Sequence, residues 1–137
     1  MQPESPPRPH MTVPSLRTLK QRGEKIVVVT AYDASFAAAA ETAGIDVVLV
    51  GDSLGMVVQG NDSTLPVTVD QIVYHTAAAS RGLDSTLLIA DMPFLSARDV
   101  PTALATARRL MGEGNAAMVK IEGSGVTQVK GSLLKLN

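Results

Sequence analysis

The chain has 137 residues, 45% of them hydrophobic and 18% charged, with a formal net charge of −1. That is a globular composition, long enough for one domain with a core. No basic excess marks a nucleic-acid partner, and the lack of cysteine excludes disulfides, thiolate metal sites and a cysteine nucleophile.

The aromatic residues are Tyr32, Phe36, Tyr74 and Phe94, too few for a base-stacking platform. No apolar run approaches the ~20 residues of a membrane span, and the first residues lack a signal pattern. A reducing, cytoplasmic location with no membrane partner is the expectation.

Residues 1–11 carry Pro3, Pro6, Pro7 and Pro9 and read as a flexible leader. Residues 12–22 form a short helical candidate with Leu16 and Leu19 on one side, ended by Gly23. Ile26 to Thr30 is a β-branched run and the first expected strand. Asp33 can cap the next helix, with Phe36, Ala37, Ala40 and Ala43 inward and Gly44 as its stop.

Val47 to Val50 is an unbroken apolar run that ends abruptly in Gly51, Asp52 and Ser53. A strand buried on both faces reads this way. A loop is expected from Gly51 to about Val67, longer than the ~2–6 residues usual between a strand and its helix, and so a candidate functional loop. Thr68 and Gln71 have the spacing of a capping box and open a helix with Val69, Ile72, Val73 and Thr76 inward, closed by Gly82. Thr86 to Asp91 is the next strand. Asp99 caps a helix with the stripe Val100, Ala103, Leu104, Ala107, Leu110 and Met111. Met118 to Ile121 is the last strand, and residues 124–137 read as a loose tail or a weak strand pair.

Strands that alternate with helices imply a parallel sheet with right-handed crossovers. An open doubly wound sheet and about half of a (βα)8 barrel both fit. The first strand–helix turn, Thr30-Ala-Tyr-Asp33, lacks a dinucleotide glycine fingerprint, and no Walker motif occurs. The barrel is therefore preferred. A whole barrel needs about 250 residues, so residues 12–123 would supply its amino-terminal half.

Asp52, Asp91 and Glu122 each follow or end a strand. In a parallel sheet these ends share one rim, where such folds keep their sites. Oxygen donors without a histidine cluster suit a hard cation, magnesium being the natural case. Lys120 could hold a substrate carboxylate, and Ser53 adds a hydroxyl. Solvated loop carboxylates are the plain alternative, since acidic residues are common in turns. His75 reads as a packed or surface histidine rather than a ligand. Gly51, Gly55 and Gly60 read as backbone devices more than a phosphate cradle. Tyr32 could reach the rim but needs no function to explain it.

The segments that carry these residues resemble one family. Thr30-Ala-Tyr-Asp33, Val48-Leu-Val-Gly-Asp-Ser-Leu-Gly-Met56, Gly60-Asn-Asp-Ser-Thr-Leu-Pro-Val-Thr68, Tyr74-His-Thr76, Ala90-Asp-Met-Pro-Phe94 and Met118-Val-Lys-Ile-Glu-Gly123 occur in order. Together they are similar to ketopantoate hydroxymethyltransferase (3-methyl-2-oxobutanoate hydroxymethyltransferase). The run through Asp52 and Pro66 is the most specific.

The resemblance implies a (βα)8 barrel with an added amino-terminal helix. It implies transfer of a hydroxymethyl group from methylenetetrahydrofolate to α-ketoisovalerate, giving ketopantoate in pantothenate biosynthesis by magnesium-assisted enolate chemistry. At matching positions it implies magnesium on Asp52, Asp91 and Glu122, and the keto acid on Asp52, Ser53, Asp91 and Lys120. It also implies homo-oligomers, and a general base, a glutamate, in the second half of the barrel beyond these residues. Two rival readings remain: a magnesium-dependent carbon–carbon lyase or mutase of the phosphoenolpyruvate-type barrels, and a non-catalytic fragment that folds only with a partner or as an oligomer.

Overall fold

The computed structural model describes residues 8–122. The tail assigned to 124–137 and most of the leader assigned to 1–11 lie outside them. Met11 is described: its N–H donates to the Ser85 carbonyl at 2.6 Å, and its side chain packs into a core cluster.

The elements, in chain order, are α1 (Val13–Gln21), β1 (Val28–Thr30), α2 (Ala34–Ala43), β2 (Val47–Val50), α3 (Leu54–Val57), α4 (Val69–Ser80), β3 (Leu87–Asp91), α5 (Val100–Gly112) and β4 (Met118–Lys120). The strands form one sheet, every neighbouring pair parallel, in the order β1-β2-β3-β4. A doubly wound sheet reverses its strand order at a switch point, whereas a barrel adds each strand beside the last. The sequential order is the barrel's.

Capping chemistry sets the helix starts. Thr12 and Ser15 form a reciprocal box at α1, and Thr68 and Gln71 do the same at α4. Asp33 accepts from the Phe36 N–H, and Asp99 from the Thr102 N–H. Gly44 ends α2 in the left-handed region at φ 80°, which a residue without Cβ enters freely.

Strands β2, β3 and β4 are buried on both faces, whereas the edge strand β1 is largely exposed. Val48, Val50, Leu88, Ala90 and Val119 point to the helix layer, against Ala37, Ala40, Ile72, Val73 and Leu110. Val47, Leu87, Ile89 and Met118 point the other way and are covered by Leu16 of α1. Period-two alternation along β2 explains the division. The added amino-terminal helix thus covers the face that a closed barrel would turn inward.

Several expected details differ. β1 begins at Val28, because Asp46 holds the chain before it: the Val27 N–H donates to the Asp46 carboxylate at 2.9 Å. Phe36 is 71% exposed and Ala43 is exposed, since α2 approaches the sheet on the narrow stripe Ala37 and Ala40. On α5 the inward positions are Ala103, Thr106 and Leu110, whereas Val100, Leu104 and Met111 are exposed. The apolar residues of α5 straddle two faces, and the polar Thr106 hides the true one. The stretch after β2 is not all loop: Leu54 is fully buried and anchors the short α3.

Candidate active site

β3 carries Asp91 at its carboxyl end, and β4 carries Lys120 as its register partner. The Lys120 ammonium lies 3.4 Å from both Asp91 carboxylate oxygens and also pairs with Glu122. Past the end of β2, the Asp52 N–H points to Asp91 Oδ2 at 3.4 Å. Asp52, Ser53, Asp91, Lys120 and Glu122 therefore gather at one rim, from three adjacent strands. Asp91 is 3% exposed, Asp52, Ser53 and Lys120 are half-buried, and Glu122 is exposed.

Burial pushes the Asp91 carboxyl up to about 6. The Lys120 charge and the Asp52 N–H oppose the rise, while the charges of Asp52 and Glu122 add to it. Burial pulls the Lys120 ammonium down, but hydrogen bonding to Glu122 and the Asp91 charge outweigh it and leave it above its ordinary value. A buried carboxyl raised by desolvation and paired with one specific cation makes Asp91 a candidate functional group.

The donor set suits a hard divalent cation in kind: carboxylate oxygens, no sulfur and no imidazole. Its spacing is another matter. Among the described residues, no group of three His, Cys, Asp or Glu side chains stands close enough to hold one ion as placed. The Lys120 ammonium occupies the position between Asp91 and Glu122. A shared cation there requires Lys120 to swing aside and the exposed Glu122 to turn in.

A cleft of about 430 Å³ opens on this rim, lined by Asp52, Glu122, Thr64, Leu65, Phe94 and Arg98 among others. That volume suits a small-molecule site. Leu95, on the same wall, takes φ 62°, a left-handed conformation that bulky residues rarely adopt. The turn is held from below, where the buried Thr106 hydroxyl donates to the Ser96 carbonyl at 2.7 Å. Thr106 escapes a sequence reading because a threonine inside an apolar stripe looks like an interruption.

Tyr32 does reach the rim, and His75 is tied to it. The Tyr32 hydroxyl lies 2.6 Å from Ser53 Oγ, and His75 Nδ1 lies 2.7 Å from the Tyr32 carbonyl oxygen. His75 is half-buried and stacks edge-on against Tyr74, so it is a packed histidine with a specific bond. Gly60 has φ 73°, a left-handed conformation that a residue without Cβ enters freely.

A family model described as ketopantoate hydroxymethyltransferase matches residues 10–135. The chain is similar to the 3-methyl-2-oxobutanoate hydroxymethyltransferase of Colwellia psychrerythraea, at 57% identity over 113 residues, covering 82% of this chain and 42% of that protein. It is 53% identical over 115 residues to the protein of the same name from Alkalilimnicola ehrlichii, covering 84% of this chain and 42% of the relative. The chain thus spans about two fifths of the length of these curated relatives. Among solved structures, 2,3-dimethylmalate lyase, a member of the PEP mutase/isocitrate lyase superfamily, matches with a TM-score of 0.60 at 23% identity, over 82% of this chain and 40% of its own. Oxaloacetate acetylhydrolase with its product oxalate matches with a TM-score of 0.60 at 19% identity, over 84% of this chain and 40% of its own. At those identities the likeness is one of fold.

Proposed function

Because this chain belongs to the ketopantoate hydroxymethyltransferase family, we propose that its acidic rim serves the transfer of a hydroxymethyl group from methylenetetrahydrofolate to 3-methyl-2-oxobutanoate, giving ketopantoate for pantothenate biosynthesis. The observation that carries the reading is the meeting of Asp52, Asp91, Lys120 and Glu122 at the ends of three adjacent strands. In this proposal Asp52, Asp91 and Glu122 hold magnesium. The ion supplies Lewis acidity, which makes the C–H beside a keto acid's carbonyl easier to ionise.

The chain's own groups do the rest of the binding. Lys120 gives up its pairing with Asp91 and Glu122 and turns its ammonium to the substrate carboxylate. The Ser53 hydroxyl donates to the same carboxylate. Leu65, Met92 and Phe94 line one side of the cleft and offer an apolar face to the folate ring. The proton is removed by a base that none of these residues supplies. The reaction is assigned to the cytoplasm, and homo-oligomers are expected from the family resemblance.

The lyase reading has only likeness of fold behind it, while the relatives by sequence are transferases. Calorimetry tests the proposal. Magnesium titrated into the chain with α-ketoisovalerate should bind, and Asp52→Asn should weaken it by about tenfold or more. Absence of any binding favours the inert-fragment reading, and cleavage of a substrate without folate favours the lyase.

A further inference from the structure

We infer that His75 is a positioning residue for the keto-acid site, acting through Tyr32 on the Ser53 hydroxyl. The inference rests on the assignment of Ser53 to the substrate carboxylate. Tyr32 is held at both ends. Its backbone carbonyl accepts from His75 Nδ1 at 2.7 Å, and its phenol oxygen lies 2.6 Å from Ser53 Oγ. Tyr32 is 8% exposed, so the phenol cannot swing to solvent without disturbing the core around it.

A carbonyl oxygen only accepts. Neutral His75 must therefore carry its proton on Nδ1, and its tautomer is fixed by this bond. The Ser53 hydroxyl is free of another common duty. Ser53 occupies the capping position of α3 but makes no side-chain capping bond. Its Oγ instead turns toward Tyr32, into space left by Gly51, where a Cβ would stand 3.1 Å from Ser53 Oγ.

The two hydroxyls share one hydrogen bond, and each owns one proton. A substrate carboxylate can only accept. The arrangement that serves it has Tyr32 donating to Ser53 and Ser53 donating to the carboxylate. Hydrogen bonds in such a chain polarise one another, so the phenol strengthens the serine as a donor while fixing its rotamer. His75 contributes by holding the Tyr32 backbone where the phenol meets Ser53. It does not touch the reacting atoms.

The test compares His75→Leu, which removes the donor, with His75→Asn, whose amide nitrogen stands near the place of Nδ1. Affinity for α-ketoisovalerate in the presence of magnesium is measured by calorimetry on the full chain, with affinity for magnesium alone as the control. His75→Leu and Tyr32→Phe should each weaken the keto acid about three- to tenfold, the size of one lost hydrogen bond, with magnesium affinity unchanged. His75→Asn should restore most of the loss. Equal weakening by Leu and Asn, or no weakening by either, overturns the inference.

A second readout does not depend on the substrate. The ¹³Cζ resonance of Tyr32 should move in the same direction in Ser53→Ala and His75→Leu, and stay near its original place in His75→Asn. If Ser53→Ala moves it and His75→Leu does not, the coupling through Tyr32 is refuted. If the unsubstituted chain binds no keto acid, the proposed function fails, and this resonance alone decides the role of His75.

Discussion

Asp91 and Lys120 stand side by side on neighbouring parallel strands, and the ammonium is 3.4 Å from both oxygens of a carboxylate that is 3% exposed. Even with that partner, burial raises the Asp91 carboxyl from its ordinary 3.8 to about 6. A carboxyl raised on folding binds its proton more tightly in the folded chain than in the unfolded one. Stability therefore falls as pH rises from about 4 through about 6, and the full cost is present at neutral pH. Asp91→Asn should stabilise the metal-free chain at pH 8 by about 1–2 kcal/mol, less than the full shift because Lys120 loses a partner, and by almost nothing at pH 4. Urea denaturation at the two pH values measures this; equal stability at pH 8 would contradict it. The same substitution should abolish tight magnesium binding.

The opposite end of the sheet holds a carboxylate with the reverse behaviour. Glu41 of α2 accepts from the Ser85 N–H at 2.9 Å, the Thr86 N–H at 3.0 Å and the Ser85 hydroxyl, tying α2 to the start of β3. Burial pushes its carboxyl up, but hydrogen bonds from Ser85 and Thr86 outweigh burial and hold it down at about 2. A carboxyl lowered on folding lends stability above its unfolded value and loses it as pH falls toward the folded one. Glu41→Gln should cost about 1–2 kcal/mol at pH 7, after discounting the shift for solvent screening, and almost nothing near pH 2. Keto-acid and magnesium binding should not change. A stability loss that persists undiminished at pH 2 would assign the effect to packing instead.

Gly55 closes the stretch between β2 and α4 against itself. A Cβ there would stand 2.6 Å from Val67 Cγ2 and 3.2 Å from the Ser63 carbonyl oxygen. Val67 is 3% exposed, and its branched side chain has little rotameric freedom to yield. Gly55→Ala should therefore cost about 1–3 kcal/mol in thermal or urea denaturation, the range for overpacking a tight site. Because Thr64 and Leu65 line the cleft, keto-acid affinity should fall with it. A variant as stable as the parent would show that the stretch accommodates the methyl group by moving.

The parts of the fold legible in the sequence are those that local chemistry fixes. Asp33, Thr68 and Asp99 each cap the helix that their positions suggest, because a short acceptor before an apolar segment has one good use. Val47 to Val50 is a strand over its whole expected length, because its β-branched, unbroken apolar run suits burial on both faces. The parts that tertiary packing decides were harder to read. Nothing local says that Phe36 faces outward while Ala37 and Ala40 face in, because the choice depends on how closely α2 meets the sheet. Convergence of Asp52, Asp91, Lys120 and Glu122 follows from strand polarity alone and could be read in advance. The placement of Lys120 between Asp91 and Glu122 could not, since it depends on where each side chain points once the register is set. The bond from His75 to the Tyr32 carbonyl spans 43 positions and leaves no trace in local pattern.

Manganese, which takes the oxygen sites that magnesium takes and is paramagnetic, tests the shared-cation claim most directly. With side-chain carboxyl ¹³C labelled, one equivalent of manganese and excess α-ketoisovalerate should broaden Asp52, Asp91 and Glu122 together, and leave the distant Glu41 sharp. Broadening of only one or two of the three, with the remainder as sharp as Glu41, would mean that they do not grip one ion, and the account of the rim would be wrong.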